Sequence, residues 1–295
     1  MINVPRQQVP GVYHRRIGDI VVTAVSDGYL DGTVEVLQNI NHDEARRMLA
    51  AAFRPGRRTS VNTFAIHSAG RLTLVDTGSG NYLLPTAGQL HRNLAAAGID
   101  PADIELILLT HMHPDHSAGL TDPASGQRLF PNAEVVVHEN DPRHWDNDAA
   151  MARATERERQ LYFQAAREQI TPYRDRLRPF NAEREVFPGV TAVPLNGHTP
   201  GHSGYMISSA GQSLLIWGDI IHAPEIQVPR PEVTIEFDTD PTMAAATRRR
   251  VFDMVATDRL LVAGMHVHYP GFAYVVRQCD GYALLPEPWD QAFGA

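Results

Sequence analysis

The sequence predicts an α/β chain, and three observations carry that reading. Short apolar runs that end in turn residues recur along the whole length. Helical patterns with recognisable starts are interleaved with them. Chemically loaded residues stand just beyond several of the apolar runs.

Residues 1–18 are punctuated by Pro and Gly and predict no regular element, only an arm lying over the domain or over a partner subunit. That arm is the reason to expect a homodimer. Ile20-Val21-Val22-Thr23-Ala24-Val25 reads as a strand closed by Ser26-Asp27-Gly28. Asn41 is placed to cap a helix running through Glu44 to Phe53. Val61–Ile66 and Arg71–Val75 read as paired strands around Ser68-Ala69-Gly70, the second closed by Asp76-Thr77-Gly78. A helix around Gln89–Ala97 then leads to Ile104–Thr110, an apolar run read as a buried strand.

After Glu134–His138, another short strand, residues 139–182 change character. They are rich in Arg, Glu, Asp and Ala, with Leu161, Ala165, Ile170, Tyr173 and Leu177 at roughly helical spacing. This predicts a helical insertion, bent or broken at Pro172, with a solvated charged face. Strand patterns resume at Val190–Val193, Gly204–Ser208, Ser213–Trp217 and Leu260–Ala263. A helix at Pro241–Ala256 starts from Asp240, and Tyr274–Arg277 with Tyr282–Leu285 reads as a terminal pair. With no repeat, low-complexity tract or linker, residues 19–295 are expected to form one domain.

Composition narrows the function. A formal net charge of −8 argues against nucleic acid, whose phosphates require a basic face. No apolar stretch approaches the ~20 residues of a membrane span. The first six residues lack the basic region and apolar core of a secretory signal, so a cytoplasmic location is expected. Cys279 is the only cysteine. A thiolate-rich metal site is therefore excluded, and any metal must be held by imidazole and carboxylate, donors suited to Zn, Fe, Mn or Co.

Such donors are concentrated in His111-Met112-His113-Pro114-Asp115-His116, at the exit of the Ile104–Thr110 strand. Side chains two apart on an extended segment point the same way, so His111 and His113 can grip one ion. Pro114 forces a turn that lets Asp115 and His116 face a second. Further donors follow other predicted strands: His198 in Asn196-Gly197-His198-Thr199-Pro200-Gly201-His202, Asp219 after Leu214–Gly218, and either His266 or His268 after Leu260–Ala263. Spacing alone does not separate the last two.

These residues together resemble the metallo-β-lactamase superfamily: the His-x-His-x-Asp-His run, a His in Gly-His-Thr-Pro-Gly-His, then Gly-Asp, then a late His. The resemblance extends over almost the whole chain and includes the Asp76-Thr77-Gly78 turn. It implies a four-layer αβ/βα sandwich, two mixed sheets with helices outside and metals at one edge. By motif, His111, His113 and His198 would bind one metal, Asp115, His116 and His266 the other, and Asp219 would bridge them. His266, followed three positions later by aromatic-Pro-Gly, matches the ligand position of the lactonase and organophosphate-hydrolase branches. His202 matches a hydrogen-bonding support residue. His14, His42, His67, His91, His138 and His144 have no motif context and read as surface or packing residues.

Two divalent cations, zinc first among the candidates, would generate a bridging hydroxide that opens lactones or related esters, with Asp219 accepting or relaying its proton. Asp115 would stand beside that chemistry. His222, three residues after Asp219, matches a substrate-contacting position that is typically Tyr in acyl-homoserine-lactone lactonases and His in the methyl-parathion-hydrolase-like branch. The stretch from Pro229 to Asp240 also resembles that branch. His222 is therefore expected to orient substrate or protonate the leaving group. Aryl phosphotriesters are a secondary expectation. The alternatives are β-lactam or thioester hydrolysis, or a mononuclear-iron sulfur dioxygenase on the same fold. Trp145, Tyr162, Phe163 and Phe272 could line a pocket, although such aromatics are more often core.

Overall fold

Alternation of side chains along the strands dictates the layering. In the computed structural model, which describes residues 4–291, the first half of the chain forms β1 (Val12–Ile17), β2 (Ile20–Gly32), β3 (Leu37–Gln38), β4 (Arg57–Ser68), β5 (Arg71–Val75), β6 (Leu106–Leu108), β7 (Glu134–His138) and β8 (Leu177–Phe180). The second half forms β9 (Arg184–Phe187), β10 (Val190–Pro194), β11 (Ser203–Ser209), β12 (Gln212–Ile216), β13 (Thr234–Ile235), β14 (Leu261–Ala263), β15 (Phe272–Gln278) and β16 (Gly281–Pro286). One sheet has the order β1-β2-β4-β5-β6-β7-β8, the other β16-β15-β14-β12-β11-β10-β9, and β13 pairs with β3.

Both large sheets are mixed. The first is antiparallel from β1 to β5 and parallel from β5 to β8. The second is antiparallel apart from the parallel pair β12 and β14. Ile20, Val22, Ala24, Phe64 and Ile66 face Tyr205, Ile207, Leu214, Ile216 and Phe272 across the space between the sheets. Residues of opposite parity point outward. Ala65, Leu74, Ile107 and Val135 bury Leu90, Leu94, Ile170 and Tyr173 on one side. Leu215, Trp217, Val262 and Ala273 cover Val251, Phe252 and Val255 of the helix Pro241–Thr257 on the other. The result is the expected four-layer sandwich.

Four expectations need correction. Ser26-Asp27-Gly28 does not close its strand: β2 passes a bulge there and runs on to Gly32. The N-terminal segment is not featureless, because Val12–Ile17 pairs along its full length with β2 and makes the edge of the first sheet. The run that suggested an arm over a partner is, over these residues, a strand of the chain's own sheet. Its period was obscured by the charged and polar His14, Arg15 and Arg16, which an edge strand tolerates. The 139–182 segment is a string of short helical pieces, with a π-helical turn at Arg159–Gln164 and a 3₁₀ stretch at Thr171–Arg176 holding Pro172. It ends in β8 rather than in helix: Leu177 begins a parallel strand beside β7, not another helical turn. β3, β9 and β13 are also absent from the sequence reading, being too short or too charged to show a period.

Candidate metal centre

The first half of the site is assembled where β6 leaves the sheet. Asp76, at the end of the neighbouring β5, is fully buried and has a left-handed backbone (φ 58°). One of its oxygens accepts the Thr110 N–H at 2.7 Å. The other accepts the Thr110 hydroxyl at 2.8 Å and lies 2.7 Å from His116 Nδ1. The carboxylate thus pins the strand exit and fixes which nitrogen His116 presents to the site. His113 caps the helix Pro114–Ser117, and that single turn carries Asp115 and His116 around to the same opening.

The second half comes from three separate loops. Gly197 (φ 138°) passes so close to the backbone of Ala244 that a Cβ would lie 2.4 Å from its nitrogen, which forces the irregular path into His198. His198 Nδ1 lies 2.8 Å from Asp238 Oδ1, leaving Nε2 for the site. Gly218 (φ 59°) makes room for His202 in the same way. His202 Nδ1 donates to the Leu195 carbonyl, and its Nε2 accepts the Asp219 N–H at 2.8 Å. His202 therefore supports Asp219 from behind. His266 Nδ1 donates to the Ser60 carbonyl at 2.8 Å, so β4 holds this last loop in place.

All seven expected ligands converge, and His222 joins them. Ligand atoms within 4.8 Å of one another form four overlapping groups: His111, His113 and His198; His111, His116 and Asp219; Asp115, His116 and His266; and His198, Asp219 and His222. Asp219 is central. Its Oδ2 lies 3.0 Å from His222 Nε2, 3.1 Å from His266 Nε2, 3.3 Å from His198 Nε2 and 3.7 Å from His111 Nε2. Its Oδ1 lies 3.2 Å from His116 Nε2. His268 turns away to Glu225, 2.6 Å distant, which separates the two late histidines that spacing left open.

The donor set suits divalent cations. His111 Nε2, His116 Nε2 and Asp219 Oδ1 are buried without a hydrogen-bond partner among the described residues, and all three face the cluster. Burial pushes the His111 and His113 pKa values well below the ordinary imidazole value, with neighbouring histidines adding to the effect, so both are neutral lone-pair donors. Burial opposes charge on His116 too, but Asp219, Asp115 and Asp76 outweigh it and hold that imidazole well above its usual range. Asp219 resists its burial because four imidazoles, His116 first, keep its carboxylate far below the usual value. The carboxylates at this site attract positive charge, and these groups of donors could hold metal ions around Asp219.

Two supporting carboxylates gave no motif signal. Asp238 lay in a stretch noted only for its overall resemblance. Asp141 ties the two halves together. Its Oδ2 accepts the Met112 N–H, and its Oδ1 accepts the Thr199 hydroxyl and the Gly201 N–H. Burial pushes its pKa up to about 6 against those hydrogen bonds. A lone Asp after a strand has no sequence signature; only its three partners identify it.

Above the cluster lies a cavity of about 470 Å³, whose apolar wall includes Leu30, Leu83, Leu84, Leu161, Tyr162 and Phe237. His113, Asp115, Asp219, His222 and His266 form its polar floor. Burial lowers the His222 pKa to about 4, so this imidazole is neutral at physiological pH. Of the aromatics considered from sequence, Tyr162 lines the cavity, whereas Trp145 and Phe163 pack in the outer core and Phe272 lies between the sheets. Phe237 was not singled out from sequence. Among the described residues no helix is long and apolar enough to cross a membrane.

Comparison with known proteins agrees with this fold. The family model of the metallo-beta-lactamase superfamily matches residues 56–266. The structure of the hydrolase AbOPH of the beta lactamase superfamily superposes with a TM-score of 0.90 at 29% identity, covering 97% of this chain and 100% of that one. The dizinc quorum-quenching lactonase AidC, solved with a hexanoyl-homoserine product, shares the fold with a TM-score of 0.89 at 24% identity, covering 96% and 99%. Among curated proteins, the atrochrysone carboxyl ACP thioesterase of Passalora fulva is 34% identical over 90 residues, which span 30% of this chain and only 25% of that protein. With the motif, the sandwich and the ligand geometry in agreement, this chain belongs to the metallo-beta-lactamase superfamily.

Proposed function

We propose that this protein is a dinuclear metal-dependent hydrolase that opens lactones or related carboxylic esters. The observation that carries the proposal is the convergence of His111, His113, His198, Asp115, His116 and His266 around Asp219, beneath a largely apolar cavity. Bound there, two divalent cations, most simply zinc, supply a water of lowered pKa and a Lewis acid for the substrate oxygen.

The chain's own residues do the rest. Leu30, Leu83, Leu84 and Phe237 bury the apolar part of the substrate and exclude bulk water from the floor of the cavity. Asp219 takes the proton of the attacking water at Oδ2. His222, 3.0 Å away through Nε2, passes it to the oxygen released when the acyl C–O bond breaks. Gln227 Oε1 accepts the N–H groups of both His222 and Ala223, and the Thr59 hydroxyl donates to the His222 carbonyl, so the backbone that carries the imidazole is fixed beside Asp219. Asp115, partly exposed to the cavity, completes the second group of donors with His116 and His266.

The similarity to a fungal thioesterase supports thioesters as a second substrate class, because the same attack releases a thiolate instead of an alkoxide. Aryl phosphotriesters are a secondary activity on the same site. The test is metal analysis of the purified protein, followed by lactones, thioesters, paraoxon-type esters and β-lactams on the same sample. Two divalent ions per chain and lactone or ester turnover above the rest are expected. Lactone activity far below that on β-lactams or phosphotriesters would overturn the assignment. One tightly held iron with oxygen uptake would instead favour a sulfur dioxygenase.

A further inference from the structure

Arg57 has no role in the chemistry above, yet it stands in the wall of the same cavity as His113, Asp115 and His222. The other charged groups of that wall are already matched. Asp31 pairs with Arg58 at 2.7 Å, and Arg157 pairs with Glu236 at 2.9 Å. Asp115 and Asp219 face the histidine cluster. Arg57 is half-buried, and among the described residues no ion pair includes it. Asp115 and Glu236 act on it only through space, while burial works against its charge.

The guanidinium is held in place without being used up. Its Nε donates to the Thr33 carbonyl at 3.1 Å, and its Nη1 donates to the Thr59 hydroxyl at 2.8 Å. Gly32 gives it room, since a Cβ there would lie 2.0 Å from Nη2. Two hydrogen bonds leave most of a guanidinium's five donors uncommitted. A fixed, partly desolvated arginine with spare donors matches a carboxylate in charge and in its planar, two-pronged shape.

We propose that Arg57 forms an anion subsite, so that the preferred substrates are esters, lactones or thioesters bearing a carboxylate several bonds from the scissile carbonyl. This rests on the hydrolase reading above. It narrows the substrate class from apolar esters to half-esters and related acids, whose apolar chain crosses the leucine-lined wall while the carboxylate reaches Arg57.

The test compares matched 4-nitrophenyl esters on the metal-loaded protein: the half-esters of succinate, glutarate and adipate, each against the neutral ester of the same chain length. At the best-fitting length the half-ester should be favoured in kcat/KM by about 10- to 100-fold. In Arg57→Met that ratio should collapse toward one, chiefly through KM, and Arg57→Lys should keep part of it. Because both members of a pair share any disturbance passed through Thr59 to His222, the ratio reads the subsite alone. No preference at any length, or a preference that survives in Arg57→Met, overturns the proposal. Calorimetric binding of glutarate against butyrate, in wild type and Arg57→Met, separates the two readings. If no ester is cleaved but glutarate keeps an Arg57-dependent advantage, the hydrolase reading falls and the subsite stands. If Arg57→Met does not fold, Arg57→Lys and the wild-type ratios decide the matter.

Discussion

The two halves of the metal centre are built by opposite strategies. His111, His113, Asp115 and His116 come from one six-residue run, set by a strand exit and a single helical turn. His198, Asp219 and His266 come from three loops that meet only because β12 lies between β11 and β14 in the second sheet. In the first half one carboxylate, Asp76, serves both the strand exit and His116, while Asp141 holds the Met112 N–H of the same run. The second needs a separate support for each ligand: Asp238 for His198, His202 for Asp219 and the Ser60 carbonyl for His266. A contiguous motif shares its scaffold, whereas a dispersed one must be oriented residue by residue.

That contrast can be broken most severely at its centre. Asp219→Ala should reduce turnover by about three orders of magnitude or more and leave fewer than two ions per chain, since both halves meet on this carboxylate. Elemental analysis beside the ester assay checks it; retention of both ions would remove Asp219 from the bridging role. Next in size is the clamp between the halves. Asp141→Ala strands two backbone N–H groups and a hydroxyl in the interior, costing about 1–3 kcal/mol for each group left unpaired. Thermal melts should show a clear fall in Tm, and an unchanged melt would mean that the halves are held together otherwise.

A sharper comparison sets Asp76→Ala against Asp238→Ala. Each should weaken metal binding by about 10- to 100-fold, the usual cost of losing a group that orients a ligand. Asp76→Ala should lower Tm more than Asp238→Ala, because Asp76 holds the Thr110 N–H and hydroxyl as well as His116, whereas Asp238 holds only the Ile235 N–H beside His198. Chelator competition and melting curves measure both effects, and equal losses of stability would contradict the shared-scaffold argument. His222→Ala should reduce turnover by about 10- to 100-fold with two ions still bound. Loss of an ion would instead make His222 a ligand. The smallest effect belongs to His268→Ala, which breaks a partly exposed pair with Glu225 and should leave metal content unchanged.

Much of the fold was legible because the strands that enclose the core carry strong periodicity. Glu134–His138 and Arg71–Val75 were read to the residue, and Asn41 and Asp240 mark their helix starts by their own capping hydrogen bonds. The edge strand Val12–Ile17 was missed because charged residues break its pattern, and Leu177–Phe180 because it follows directly on a 3₁₀ stretch and Leu177 continues the helical spacing of Ile170 and Tyr173. Local pattern records what a segment buries. It does not record which neighbour completes a sheet.

The chemistry on offer is readable along the chain: imidazole and carboxylate donors, one contiguous run and three later candidates at strand exits, with strands and helices alternating. Those are properties of residue type and local spacing, and they survive without knowledge of distant contacts. The tertiary structure decided the rest. It turned His266 toward Asp219 and His268 toward Glu225, although both sit on one short loop. It also revealed Asp141 and Asp238 as supports, and left Arg57 as a cation with spare donors in the cavity wall. Orientation and charge matching depend on partners tens to hundreds of residues away, and only the packed sheets bring those partners within hydrogen-bonding distance.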